Sequence, residues 1–347
     1  MKYTTTTLAA LAATTSVAWA GGIDRSGQSI GALFESGGYA ELSYGYVAPS
    51  VEGTGPNSTF TAIAPTGSVA PGYGNFGLAV KTDLGPKFSA ALIMDQPFGA
   101  AVEYDTAGYA LTGTSAHVDT FALTALGRFK ISDAFSVHGG LRYVTASGDY
   151  TNSLGPYSST YSPGSDLGYV IGAAFEKPEI AMRVALTYSS ATSFALDGTV
   201  GDLNAKMPQS VNLDLQTGIA ANTLLFGSIR WADWSEATID DTLAGNLLSY
   251  EKDVFTYSLG LGRKFSDSFS GSVSLGYEAA QGGLASNLSP TDGNTSIGIG
   301  GKYTSGNMEI SAGVRYVLLG DATTELIGSD FSGNTAIGAG VKVAFRF

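Results

Sequence analysis

Over much of this chain, residues two apart share a chemical character while those between them oppose it, and that period constrains the fold more tightly than any other feature. In "FSGSVSLGYEA", Phe269, Val273, Leu275 and Tyr277 alternate with Ser270, Ser272, Ser274 and Glu278. The last twelve residues, "AIGAGVKVAFRF", put Ile337, Val341, Val343, Phe345 and Phe347 on one parity and Lys342 and Arg346 on the other. A period of two belongs to a β-strand, whose successive side chains leave opposite faces. The pattern predicts fourteen strands, near 39–49, 75–83, 88–97, 117–131, 135–149, 167–176, 180–198, 208–219, 224–239, 250–265, 269–280, 293–304, 308–320 and 334–347.

The connections decide which β architecture these runs build. Six are short, among them "LGPK", "SDA" and "SGN", and they alternate with seven longer segments rich in Gly, Ser, Thr, Asn and Asp. Short turns at one end and long loops at the other describe a transmembrane barrel; a soluble sandwich has no reason to sort its loops. The expected fold is all-β, a transmembrane antiparallel barrel of about fourteen strands covering 39–347. Aromatic residues bracket the wall: Phe129 with Phe135 and Phe265 with Phe269 flank two short turns, while Trp231 and Trp234 lie far along their strand. They are expected to form the two interfacial girdles. Phe345 and Phe347 then end a closing, lipid-facing strand.

Composition agrees. Only 14% of residues are charged, and past the first twenty no segment offers the roughly 18 to 20 uninterrupted apolar residues of a spanning helix. The start, "MKYTTTTLAALAATTSVAWAGG", joins one Lys to a short apolar run and Ala18-Trp19-Ala20, the pattern of a secretory signal peptide over 1–20 cleaved after Ala20. A formal charge of −12 argues against a nucleic-acid partner. The absence of cysteine removes thiol chemistry, and with no phosphate-binding glycine loop or clustered metal ligands, neither cofactor nor metal is expected.

Residues 21–38 do not fit the wall. In "GGIDRSGQSIGALFESGG", Ile30, Leu33 and Phe34 have the spacing of a short helix. With Gly21 and Ile23 they are expected to form a plug, or hatch, folded into the lumen. Arg128, Arg142, Arg183, Arg230, Arg315 and Arg346 fall on the lumen parity. Guanidinium groups there can hold a carboxylate bidentately, which makes Arg142, Arg183, Arg230 and Arg315 candidate ligand partners. Alternatively they pair internally, with Asp214, Glu278 and Glu309 or with Asp24 and Glu35 of the plug. Pro97 lacks the amide a ladder uses, so "MDQPFG" should interrupt the third strand or end it.

The segments "MPQSVNLDLQTGIAANTLLFGSIRWADWSE", "YVIGAAFEKPEIAMRVALTYSS", "NFGLAVKTDL" with "DQPFGA", and the terminal "AIGAGVKVAFRF" resemble the FadL-type long-chain fatty acid transporters of the bacterial outer membrane. The block from Pro208 to Trp234 is the most specific part. The resemblance implies a fourteen-stranded barrel with an N-terminal hatch that takes up hydrophobic molecules by passive diffusion, without enzymatic activity. It also implies a side opening at a kinked third strand, which places it at Pro97 and Phe98. Expected partners are long-chain fatty acids or other hydrophobic small molecules, the outer-membrane lipid and lipopolysaccharide around a monomer, and the barrel assembly machinery, which reads the terminal aromatic. The family's hatch commonly carries Asn-Pro-Ala, and 21–38 contains none. Rival readings are a general porin, a surface adhesin and an outer-membrane hydrolase; for the last, only His117 and His138 offer imidazole bases.

Overall fold

The computed structural model describes residues 23–347. The leader expected at 1–20, and Gly21 with it, lie outside them. The wall strands are β1 Tyr39–Ser50, β2 Tyr73–Asp83, β3 in two pieces, Phe88–Asp95 and Gly99–Glu103, β4 Ser115–Lys130, β5 Phe135–Asn152, β6 Tyr157–Lys177 and β7 Met182–Ser189. They continue as β8 Ser210–Ala220, β9 Thr223–Ala232, β10 Val254–Lys264, β11 Phe269–Glu278, β12 Asn294–Ser305, β13 Met308–Leu319 and β14 Thr335–Arg346. Each pairs antiparallel with its neighbours, and β1 pairs with β14 over its whole length, from Tyr39↔Arg346 to Ser50↔Thr335, closing a fourteen-stranded barrel. Closure leaves no free edge, the condition for carrying a sheet through a bilayer.

The expected alternation holds in space. Leu42 and Tyr44 of β1, Leu141 of β5, Leu259 of β10 and Ile299 of β12 are exposed on the outer face, while Arg142, Lys302, Glu309 and Lys342 are buried inside. That inversion is stable only if lipid, rather than water, meets the outer face. At the short-turn end, Phe129, Phe135, Phe265 and Phe269 are all exposed, with Phe135 against Phe175 at 4.9 Å and Phe265 stacked on Phe269 at 5.8 Å. Phe347 is 73% exposed and exchanges both backbone hydrogen bonds with Gly38, each 3.0 Å, at the point where the barrel closes.

Three boundaries differ from expectation. β6 begins at Tyr157, ten residues early, because the polar stretch "YSSTYSPGSD" pairs with β5 without offering an apolar face. β7 stops at Ser189, opposite Ser210, and Thr192–Leu196 leaves the wall to join a separate four-stranded sheet in the loops. β9 stops at Ala232 instead of 239, and the chain turns inward through Trp234–Glu236. Trp234 is therefore not a girdle residue. It is fully buried, against Phe98 at 5.9 Å and Tyr250 at 4.9 Å, within an apolar cluster that caps the loop end of the lumen.

Candidate functional site: the plugged lumen and the interrupted strand

The plug enters beside β3. Gly27 and Gln28, both at positive φ (61° and 55°), turn it, and the Asp24 carboxylate accepts the Gly27 amide at 3.1 Å. A single 3₁₀ turn, Gly31–Phe34, takes the place of the expected short helix. Ile30 and Leu33 are buried in it against Ala79, Ile93, Leu126 and Val170 of the wall, so the apolar spacing that marked the segment faces wall side chains. Ile23 belongs instead to the apolar cap above, and Phe34 is half-buried.

Charged wall residues tie the plug down. Asp24 Oδ2 accepts from Arg230 Nε at 2.8 Å and lies 2.6 Å from its Nη2, and Arg230 Nη1 also donates to Asn212 at 2.7 Å. Both partners are buried, so removal of one leaves an uncompensated charge, at a cost of about 3–5 kcal/mol. Arg142 donates to Gln28 of the plug and to Thr124 at 2.9 Å. Arg346 joins Glu35 of the plug at 2.6 Å to Glu309 at 3.3 Å. Arg128 pairs with Glu176.

Arg183 is placed differently. Its guanidinium lies 4.7 Å from the Phe34 ring centroid, as does that of Arg128, and among the described residues it forms no ion pair. It borders a cavity of about 280 Å³, together with Arg230, Arg315, Asn212 and Asp214. Ile30, Phe34, Ile93 and Phe226 supply apolar surface to the same space. Arg315 donates to Ser296 at 3.1 Å. Three of the four candidate arginines thus share one cavity, and the fourth, Arg142, is engaged with the plug.

The third strand is interrupted at Gln96–Phe98. Pairing between β2 and β3 ends at Leu78↔Met94, where the Gln96 side chain accepts the Phe76 amide at 2.9 Å; beyond the break, Gly99–Glu103 pairs in the barrel with β4 alone. Pro97 and Phe98 sit in that break, with the Phe98 amide bonded to Thr120 Oγ1 at 2.9 Å. The two histidines are far apart in role. His138 contacts Thr187 at 3.0 Å inside the lumen, while His117, on the outer face, lies between Glu103 and Asp149, each at 3.0 Å.

No family profile and no curated protein matches the sequence. Solved structures do match. A Pseudomonas aeruginosa FadL homologue superposes with a TM-score of 0.73 at 14% identity, over 91% of this chain and 92% of that one. The chain has the FadL-type fold. The Pseudomonas putida toluene transporter TodX matches at 0.66 and 13% identity over 90% of each chain, and the Ralstonia pickettii toluene transporter TbuX at 0.61 and 14% over 91% of each. Within this FadL-type barrel the sequence had marked Asp24, Glu35 and the arginines. Arg25, Gln28 and Asp119 were missed, because a residue that reaches across a lumen or through a wall leaves no trace in strand periodicity.

Proposed function

We propose that this barrel lies in the bacterial outer membrane, with its short turns in the periplasm, and takes up hydrophobic molecules by passive diffusion, long-chain fatty acids foremost. The observation that carries the reading is the cavity beside Arg183. It combines apolar walls with a guanidinium held over an aromatic ring, near Glu35 and Asp214 but in ion-pair contact with no carboxylate among the described residues. An amphipath needs that pairing, apolar surface for its chain and a cation for its head. A plug fastened at Asp24, Gln28 and Glu35 supports a carrier over an open porin. The break at Pro97 supports a side exit toward the membrane. Native mass spectrometry after gentle detergent extraction tests the ligand class: retained monocarboxylic acids are expected, and retention of uncharged lipids alone would sink the acid reading.

Assembly supplies a second expectation. Phe347 ends the closing strand and is exposed where that strand meets the short-turn side. Its deletion should lower the yield of heat-modifiable barrel in the outer membrane, and normal assembly without it would remove Phe347 as an assembly signal.

A further inference from the structure

The charge of this chain is gathered at one end of the barrel. The seven connections at the loop end, 51–72, 104–114, 153–156, 190–209, 233–253, 279–293 and 320–334, carry fourteen acidic side chains against two cations, Lys206 and Lys252. Their balance is −12, equal to the formal charge of the whole chain. Both lysines are engaged: Lys206 pairs with Glu236 at 2.8 Å, and Lys252 donates to the Gln281 carbonyl. A surface of one sign repels ligands of that sign over about 10 Å at 0.1 M salt.

Beneath the loops the path turns apolar. Phe98, Leu111, Met207, Trp234, Ile239 and Leu248 are buried in the cap. Every buried cation among the described residues stands in the wall or the plug, none in the seven connections. Guanidinium groups come next, with Arg183, Arg230 and Arg315 at the cavity. From outside inward, a carboxylate therefore meets an acidic surface, then an apolar layer that offers no counter-charge, and only then a cation.

We propose that the acid crosses the cap as the neutral carboxylic acid and ionises only at the cavity arginines, so that loops and cap together admit weak acids and exclude amphipaths that stay charged. Two magnitudes decide it. An ordinary carboxyl group titrates near about 4.3, so at pH 7 roughly one acid molecule in 500 is neutral. An unpaired carboxylate in apolar surroundings is disfavoured by roughly a thousandfold or more, and the loop charge adds to that penalty on the anion alone. The neutral form, though scarce, is the faster route. Beside Arg183 the balance reverses, because a neighbouring cation favours the charged form. The proton leaves to water, and the carboxylate stays on the guanidinium. This entry step rests on the acid-carrier reading above.

Bromine quenches indole fluorescence on contact, so dodecanoate, dodecanol and dodecanesulfonate, each brominated at the chain end, report entry at Trp234 in the cap. Stopped-flow mixing uses the full chain in nonionic detergent with Trp19→Phe and Trp231→Phe, which leave Trp234 as its one tryptophan. Should that barrel not be heat-modifiable, Trp231→Tyr takes the place of Trp231→Phe. Relative to the alcohol, quenching by the acid should slow by roughly tenfold or more between pH 6 and pH 8, as its neutral fraction falls. The sulfonate, ionised throughout, should enter at least about tenfold more slowly than the acid does at pH 6, and at the same rate at both pH values. An acid rate that does not change with pH, or a sulfonate that enters as fast as the acid, would overturn neutral entry. Calorimetry at equilibrium separates this from the carrier reading. Bound acid that enters without pH dependence removes neutral entry alone, whereas no bound acid at either pH removes both.

Discussion

Deleting Ile23 to Glu35 should raise the ion conductance of the reconstituted barrel by roughly tenfold or more, because the lumen of fourteen strands is too wide for wall side chains alone to fill. The deleted residues contribute Ile30 and Leu33 to the packed lower lumen and remove the partners of Arg230, Arg142 and Arg346. The wall itself should survive, since its β1–β14 closure runs from Gly38 and Tyr39 onward and includes no deleted residue. Steady single-channel steps in a planar bilayer are the readout. Conductance that stays low in a folded deletion variant would mean that the apolar cap around Trp234 closes the lumen instead.

Replacing Arg183 by Met should weaken fatty acid binding by about 1.5–3 kcal/mol, the range for a hydrogen bond to a charged group, and leave an uncharged hydrocarbon of similar length nearly unaffected. Met keeps much of the stem that packs on Phe34, so a loss confined to the acid reports the charge. Arg315→Met reads the same cavity and should give a similar or smaller effect. Arg230→Met and Arg142→Met are less clean, because each also releases a plug residue, Asp24 or Gln28. Equal losses for acid and hydrocarbon at Arg183 would point to disturbed packing, and no loss at any of the four would remove the headgroup site. The toluene transporters among the structural neighbours make this comparison pointed, since a carrier of uncharged rings has no use for the guanidinium.

The wall was legible in the sequence because a strand with lipid on one side and a polar lumen on the other repeats its chemistry every second residue. Phe269 to Tyr277 and Ile337 to Phe347 show this without any knowledge of their neighbours. The interruption at Pro97 could be placed for a similar reason, since a missing amide is a local fact. Periodicity failed where the chain left the bilayer. Trp234 looked like an interface aromatic, but β9 ends two residues before it and the side chain is buried under the loops. The plug lay between these cases. The spacing of Ile30 and Leu33 suggested a short helix where the chain makes a single packed 3₁₀ turn, and the acids Asp24 and Glu35 stood as the alternative partners of the arginines. Which arginine each would meet depended on register and on the path of the chain across the lumen. That Arg25 leaves through the wall depends on Gly99 and Asp119, two positions whose importance exists only in three dimensions.

Uptake of radiolabelled oleate by a Gram-negative host lacking its own long-chain acid carrier tests the central claim most directly, with the protein shown to be folded in the outer membrane. Uptake is expected to rise well above that of the empty host and to fall back with Arg183→Met. Folded protein in the outer membrane with uptake no greater than the empty host's would contradict the account.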